Sequence, residues 1–183
     1  IAWEAFLQDI MEGDNTKIAV LQEFIGYCFI KTCKYEKALV IPGGGQNGKG
    51  TFTHVIHHLI GSENISSASL EHLSDDVRRS SILNKYINID TEVPKRSERF
   101  EASFKQIVSG EHMLFNEKYI APYSKAPFCK LIFAANKLPR IDESTIGFYR
   151  RLIIVPFSKT ISDENKDIDL KEKLIQVLPG IFI

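Results

Sequence analysis

Neither sign of charge prevails in this sequence: 23 Lys and Arg stand against 23 Asp and Glu, so the formal net charge is zero. No global basic field announces a nucleic-acid partner, and any such contact has to be local. Cysteine is sparse. Cys28, Cys33 and Cys129 stand at unrelated spacings that make neither a disulfide framework nor a zinc signature, which fits a reducing cytoplasm. Long hydrophobic runs are missing as well. The most apolar early run, Ile18 to Ile30, carries Gln22 and Glu23 and is too short to cross a bilayer. No secretory signal is recognisable, so no membrane partner is expected. Repeats and low-complexity segments are absent. What is there, 44% hydrophobic and 25% charged residues over 183 positions, describes one globular domain long enough to bury a core. The first residue is Ile1 rather than a methionine and the end, Leu178 to Ile183, is apolar, so the chain is expected to be a piece of a longer polypeptide.

Glycine is abundant in one place. The apolar run Ala38 to Ile41 stops at Pro42, and then come Gly43, Gly44, Gly45, Gln46, Asn47, Gly48, Lys49, Gly50, Thr51 and Phe52. A helical pattern follows, from Phe52 to Ile60, closed by Gly61. Strand, glycine-rich loop and helix in this order make a phosphate-binding P-loop, in which backbone N–H groups turn towards an anion at a helix start and Lys49 reaches the outer phosphates. Gly43, Gly48 and Lys49 meet the pattern G-x-x-x-x-G-K, but Gly50 stands where a hydroxyl is usual and Thr51 carries it one position later. The bland alternative, a glycine turn with a chance lysine, is disfavoured by the strand before and the helix after.

Ahead of the loop, Trp3, Phe6, Leu7 and Ile10 recur at helical spacing up to Gly13, and Asp14 or Asn15 can cap a second helix bearing Ile18, Leu21, Ile25 and Phe29. These two helices form a collar segment over residues 1–35 whose role is packing. Beyond the loop, Ile65 to Ala68 reads as a short strand and Asp75 to Leu83 as a helix. His54, His57 and His58 share one side of the helix, but no carboxylate or cysteine nearby in sequence completes a metal site, so solvation or helix packing is the expected role. The β-prone run Lys85 to Glu92 ends in Asp90 and Glu92, two apart and so on one side of a strand. Beside a P-loop, one carboxylate can hold Mg²⁺ and the other can polarise water. A polar turn before Pro94 is the alternative. Phe100 to Val108 reads as an amphipathic helix. Met113 to Ile120, Pro122 to Pro127 and Phe128 to Ala135 suggest a strand, a protruding turn and a returning strand, with Lys118, Tyr119, Tyr123 and Lys125 around the turn. Such cations and aromatics suit single-stranded nucleic acid as well as they suit a solvated hairpin. Lys130 to Ala135 has a buried-strand pattern that ends at Asn136, an amide able either to orient water or to begin a turn. Arg150 and Arg151, before the β run Leu152 to Phe157, form either a strand-edge charge cluster or the cation that steadies a transferred phosphoryl. Ile168 to Leu178 is the last helix.

Taken in order, GGGQNGKGTF (43–52), YINIDTEV (86–93), FKQIVSGE (104–111), EKY (117–119), LIFAANKLPRID (131–142) and GFYRRLIIVPF (147–157) resemble the superfamily III helicases. The likeness is nearest to the helicase module of phage, plasmid and poxvirus primase-helicases, and it fades after about Ser158. That resemblance implies an α/β, AAA+-like core over residues 36–183, with a central parallel sheet flanked by helices. It implies ATP with Mg²⁺ between subunits of a ring, usually a hexamer, and single-stranded or forked DNA gripped by a hairpin. A primase or polymerase domain on the same chain or in trans would complete the machine, in a host cytoplasm if the protein is phage-encoded. By position, Lys49 would be the phosphate lysine, with Thr51 and Asp90 near Mg²⁺ and Glu92 the water activator. Asn136 would be the sensor asparagine, Lys118 and Tyr119 the DNA contact, and Arg150 or Arg151 the finger reaching a neighbour. The sequence departs from the family at Gly50–Thr51 and in spacing Asp90 from Glu92 by one residue.

Two other readings remain open at this level. Small nucleotide kinases also end their loop in G-K-G-T, although no arginine-bearing lid is recognisable here. A non-catalytic, oligomerising DNA-binding platform is the third.

Overall fold

The computed structural model describes residues 2–91, 98–136 and 146–182. The chain begins with α1 (Ala2–Ile10), whose Trp3, Phe6, Leu7 and Ile10 all lie on the buried face. The next helix, α2 (Asn15–Cys28), is capped by Asp14, which accepts from the N–H groups of Thr16 and Lys17 at 3.1 Å each. Asp14 rather than Asn15 therefore satisfies the orphan donors of that first turn.

Strand β1 (Ala38–Val40) leads through the glycine loop into α3 (Lys49–Ile60), which starts at the lysine, three residues earlier than the apolar pattern indicates. Then follow β2 (Ile65–Ser66), α4 (Leu70–Leu73), β3 (Ile87–Asp90) and α5 (Glu98–Ser109). A hairpin of β4 (Met113–Phe115) and β5 (Tyr123–Lys125) precedes β6 (Lys130–Phe133), and α6 (Ile146–Tyr149), β7 (Leu152–Ile154) and α7 (Leu170–Gln176) complete the order.

Five strands make one parallel sheet in the order β2-β3-β6-β1-β7. β6 enters between β1 and β3, so the glycine-loop strand and the strand ending in Asp90 are not neighbours. The fully buried patterns of β1, β3 and β6 follow from helices on both faces. Successive side chains alternate between two cores. Leu39, Ile41, Ile87, Ile89 and Ile132 join α1, α2 and α3 on one face. Ala38, Val40, Leu131 and Phe133 join Phe104, Ile107 and Phe148 on the other.

The structure also differs from the sequence reading at the hairpin and at residues 75–83. The strand Phe128 to Ala135 does not return alongside Met113 to Ile120; β5 does that, antiparallel to β4, and β6 belongs to the parallel sheet. Residues 75–83 form not an α-helix but a turn and a short 3₁₀ segment, Arg78–Ile82. The cause is Arg79, which is 8% exposed and donates to the carbonyls of Leu73, Ser74 and Leu114, tying that segment to the hairpin. Among the described residues no helix is long and apolar enough to cross a membrane.

Candidate functional site

The carboxyl ends of β1, β6 and β3 bring three sequence-distant groups to one edge of the sheet. Val40 and Asp90 both register with Phe133 of the strand between them, so Asp90 stands level with the last residue of β1. Asp90 is 5% exposed, and its carbonyl accepts from the Ala134 N–H at 2.9 Å, which sets the exit of β6 beside it. The glycine loop leaves β1 in the same way. Gly43 N–H donates to Ala135 O at 3.1 Å, extending the β1–β6 pairing past its last ladder position.

Lys49, the first residue of α3, is 8% exposed. Its Nζ donates to Gly43 O and lies 3.5 Å from Asn136 Oδ1, so residues 87 positions apart in sequence meet across the loop. Burial pushes the lysine pKa down, yet its partners are both oxygens, an environment that favours the ammonium. The residue before it, Gly48, has φ +83° and supplies no side-chain cap. The first N–H groups of α3 thus carry the helix's partial positive charge without a capping side chain. Gly48 also admits no side chain: a Cβ there would stand 2.8 Å from Ile10 Cγ2 of α1.

Of the remaining positions read from the sequence, Gly50 and Asp90 line one pocket of about 910 Å³. Thr53 and Thr91 line it with them, whereas Thr51 is half-buried. Thr53, absent from the loop pattern, bonds back through Oγ1 to Lys49 O at 3.1 Å and Gly50 O at 3.3 Å. The same pocket continues along α3 past His54, His57 and His58. The His54 and His58 rings lie 4.4 Å apart, and burial, with the neighbouring His58, holds the His54 pKa low. Among the described residues no three side chains of metal-binding type converge on one point. Glu92 and the motif residues 137–142 lie outside the described residues.

The paired arginines part company. Arg151 is 7% exposed and donates to Ser109 Oγ at 2.8 and 3.2 Å and to Gly147 O at 2.6 Å, with Glu36 Oε2 at 2.9 Å. Its guanidinium is committed inside the molecule. The Arg150 side chain is 61% exposed and 3.6 Å from the same Glu36 carboxylate. Both precede β7, which runs parallel to β1, so they lie at the end of the sheet opposite the glycine loop.

The hairpin divides its cations and aromatics in the same fashion. Tyr123 Oη donates to Glu117 Oε1, and Lys125 Nζ donates to Asn84 Oδ1 at 2.9 Å, bracing the base. Lys118 is exposed, and Tyr119, with φ +68°, is wholly so.

Sequence patterns missed the outer brace of the loop. Asn47, 4% exposed, donates from Nδ2 to Phe157 O at 3.0 Å. Gln46 O accepts from Ile161 N–H at 2.7 Å, and Gln46 Nε2 lies 3.2 Å from Asp163 Oδ1. No local signal marks these partners, because each is more than a hundred residues away.

A five-stranded parallel sheet in this order, flanked by helices, defines an open α/β core. The structure superposes on JCV helicase, solved with a bound small molecule, with a TM-score of 0.64 at 13% identity, covering 99% of this chain and 53% of that one. It superposes on the C-terminal region of NrS-1 with a TM-score of 0.75 at 18% identity, covering 98% of this chain. This chain spans 43% of that region. At such identities the likeness is one of fold. More narrowly, the sequence model of a family of unknown function, DUF5906, matches residues 41–151, and the chain belongs to that family.

Proposed function

We propose that this chain is the ATP-hydrolysing core of a DNA helicase, acting at subunit interfaces in a ring and moving single-stranded DNA with the β4–β5 hairpin. The observation that carries the reading is the meeting of Lys49 with Asn136 beside Asp90, at the carboxyl ends of three adjacent parallel strands. Ligand sites of open α/β sheets are built at that edge.

The residues fit a nucleoside triphosphate with Mg²⁺. Lys49 now donates to a backbone carbonyl, and the α3 start offers N–H groups without a side-chain cap, so both can turn to an anion. When bound, ATP supplies the phosphoryl group and Mg²⁺ offsets its charge. Lys49 binds the outer phosphates. Asp90, with Thr53 on the same pocket wall, and the half-buried Thr51 would hold the metal's side of the site. Asn136 orients water, and Glu92 draws its proton. Exposed Arg150, rather than Arg151, is the group available to reach across to a neighbour's nucleotide, since it lies at the far end of its own sheet. Lys118 contacts the DNA backbone and Tyr119 stacks on a base.

Lys49→Ala should abolish ATP turnover; unchanged hydrolysis would sink the assignment of the loop. Lys118→Ala should weaken strand binding and unwinding with ATPase retained, and full DNA affinity would refute the hairpin's role. Mixing Arg150→Ala with Lys49→Ala subunits should restore part of the ATPase, and no rescue at any ratio would rule out a finger in trans.

A further inference from the structure

The glycine loop is held from outside by a segment that no loop motif includes. Beyond β7 the chain continues beside the loop strand, with Val155 N–H on Val40 O and Phe157 N–H on Pro42 O, both at 2.9 Å. Phe157 O then accepts from Asn47 Nδ2 at 3.0 Å. One residue therefore grips both ends of the segment from Pro42 to Asn47. Four residues on, Ile161 N–H grips Gln46 O, whose residue takes the left-handed φ of +46°. The brace is anchored in turn. The Phe157 ring meets Phe52 of α3 edge-on at 5.6 Å, and Lys159 pairs with Asp9 of α1.

Gly43 and Asn47 are complementary within this arrangement. A Cβ on Gly43 would stand 2.0 Å from Asn47 Nδ2 and 2.7 Å from Phe157 O. The asparagine amide thus occupies the space that the glycine leaves open, and it is directed at the strand wall.

We propose that Asn47 is a positioning residue: by tying the loop to Phe157 O it holds residues 43–48 in the shape that receives phosphate, without itself touching the phosphate. This rests on the nucleotide reading above. The physical reason is preorganisation. A loop of glycines has many conformations, and each buried bond that selects one of them lowers the entropy lost when an anion binds. Losing the Asn47 bond leaves the loop free to collapse, and ordering it again draws on the binding energy of the nucleotide.

The test compares Asn47→Ala and Asn47→Asp with the unaltered protein in its assembled state, using Mg-ATP. The aspartate is nearly isosteric, but its carboxylate cannot donate to Phe157 O. For both variants the KM and the dissociation constant should rise by about tenfold, the scale of one net hydrogen bond, while kcat at saturation stays within about threefold. Unchanged affinity with a lowered melting point, or a variant too unstable to assay, would make the bond purely structural and overturn the proposal. A collapse of kcat at unchanged KM would place Asn47 on the reacting atoms and overturn it as well. If the unaltered protein binds no Mg-ATP, the nucleotide reading falls and takes this role with it; if it binds Mg-ATP and both variants bind equally well, the role of Asn47 falls alone.

Discussion

Gly43 and Gly44 are adjacent and chemically identical, yet replacing each by alanine should have very unequal consequences. At Gly43 the added Cβ would stand 2.0 Å from Asn47 Nδ2, 2.7 Å from Phe157 O and 3.0 Å from Lys49 Nζ. The two side-chain ends can retreat. The Phe157 carbonyl cannot do so cheaply, because its residue also donates to Pro42 O at 2.9 Å and its ring packs on Phe52. Overpacking of this kind costs about 1–3 kcal/mol. Displacing Asn47 Nδ2 from the Phe157 carbonyl, at a site where the residue is 4% exposed, leaves a buried donor unpaired at a further cost of about 1–3 kcal/mol. Allowing for partial relaxation, Gly43→Ala should destabilise by about 2–4 kcal/mol. At roughly 2–4 °C per kcal/mol for a chain of this size, the melting temperature should fall by about 4–16 °C. At Gly44 a Cβ meets nothing within 4 Å and φ is not in the left-handed region, so Gly44→Ala should change stability by no more than about 0.5 kcal/mol. Differential scanning fluorimetry and urea unfolding of the two variants decide the matter. Equal melting temperatures, or the larger loss at Gly44, would refute the packing of the loop against Phe157.

Three further outcomes are expected. Arg151→Ala removes a buried guanidinium from Glu36, Ser109 and the Gly147 carbonyl and should destabilise by about 2–3 kcal/mol, whereas Arg150→Ala should stay within about 0.5 kcal/mol; equal effects in urea unfolding would refute the distinction. Because burial and His58 hold the His54 pKa below 6.5, the unfolded chain binds the extra proton first, so stability should fall as pH drops through about 6.5 towards the folded-state pKa. His54→Gln should flatten that part of the melting curve against pH, and an unchanged slope would remove His54 from the effect. Burial pushes the Cys28 thiol up to about 12 and Cys129 higher still, so neither should react with iodoacetamide in the folded protein near pH 8.5, and stoichiometric native labelling would contradict their burial.

The local features of this protein are legible in its sequence because they depend on neighbours. The α1 stripe of Trp3, Phe6, Leu7 and Ile10, the cap at residue 14, the three buried strands and the glycine loop each follow from short-range periodicity, capping and backbone freedom. The parallel sheet with helices on its faces is what the resemblance carried by the ordered motifs implies, and the structure has it. Where those rules misled, a distant partner had intervened. Arg79 turned an expected helix into a tied-down 3₁₀ segment by reaching Leu114 O, and β5 rather than β6 paired with β4.

Only the tertiary structure decided which candidate groups meet. Lys49 and Asn136 are 87 residues apart and come together because β6 enters the sheet beside β1, a choice made by the packing of two cores rather than by either segment alone. It also separated Arg151, buried among its partners, from Arg150, exposed beside it. Pattern reading treats those two arginines as a pair, and the glycines at 43 and 44 as a run. Position in three dimensions distinguishes them, because steric contact and desolvation depend on whatever atoms the fold has carried into reach.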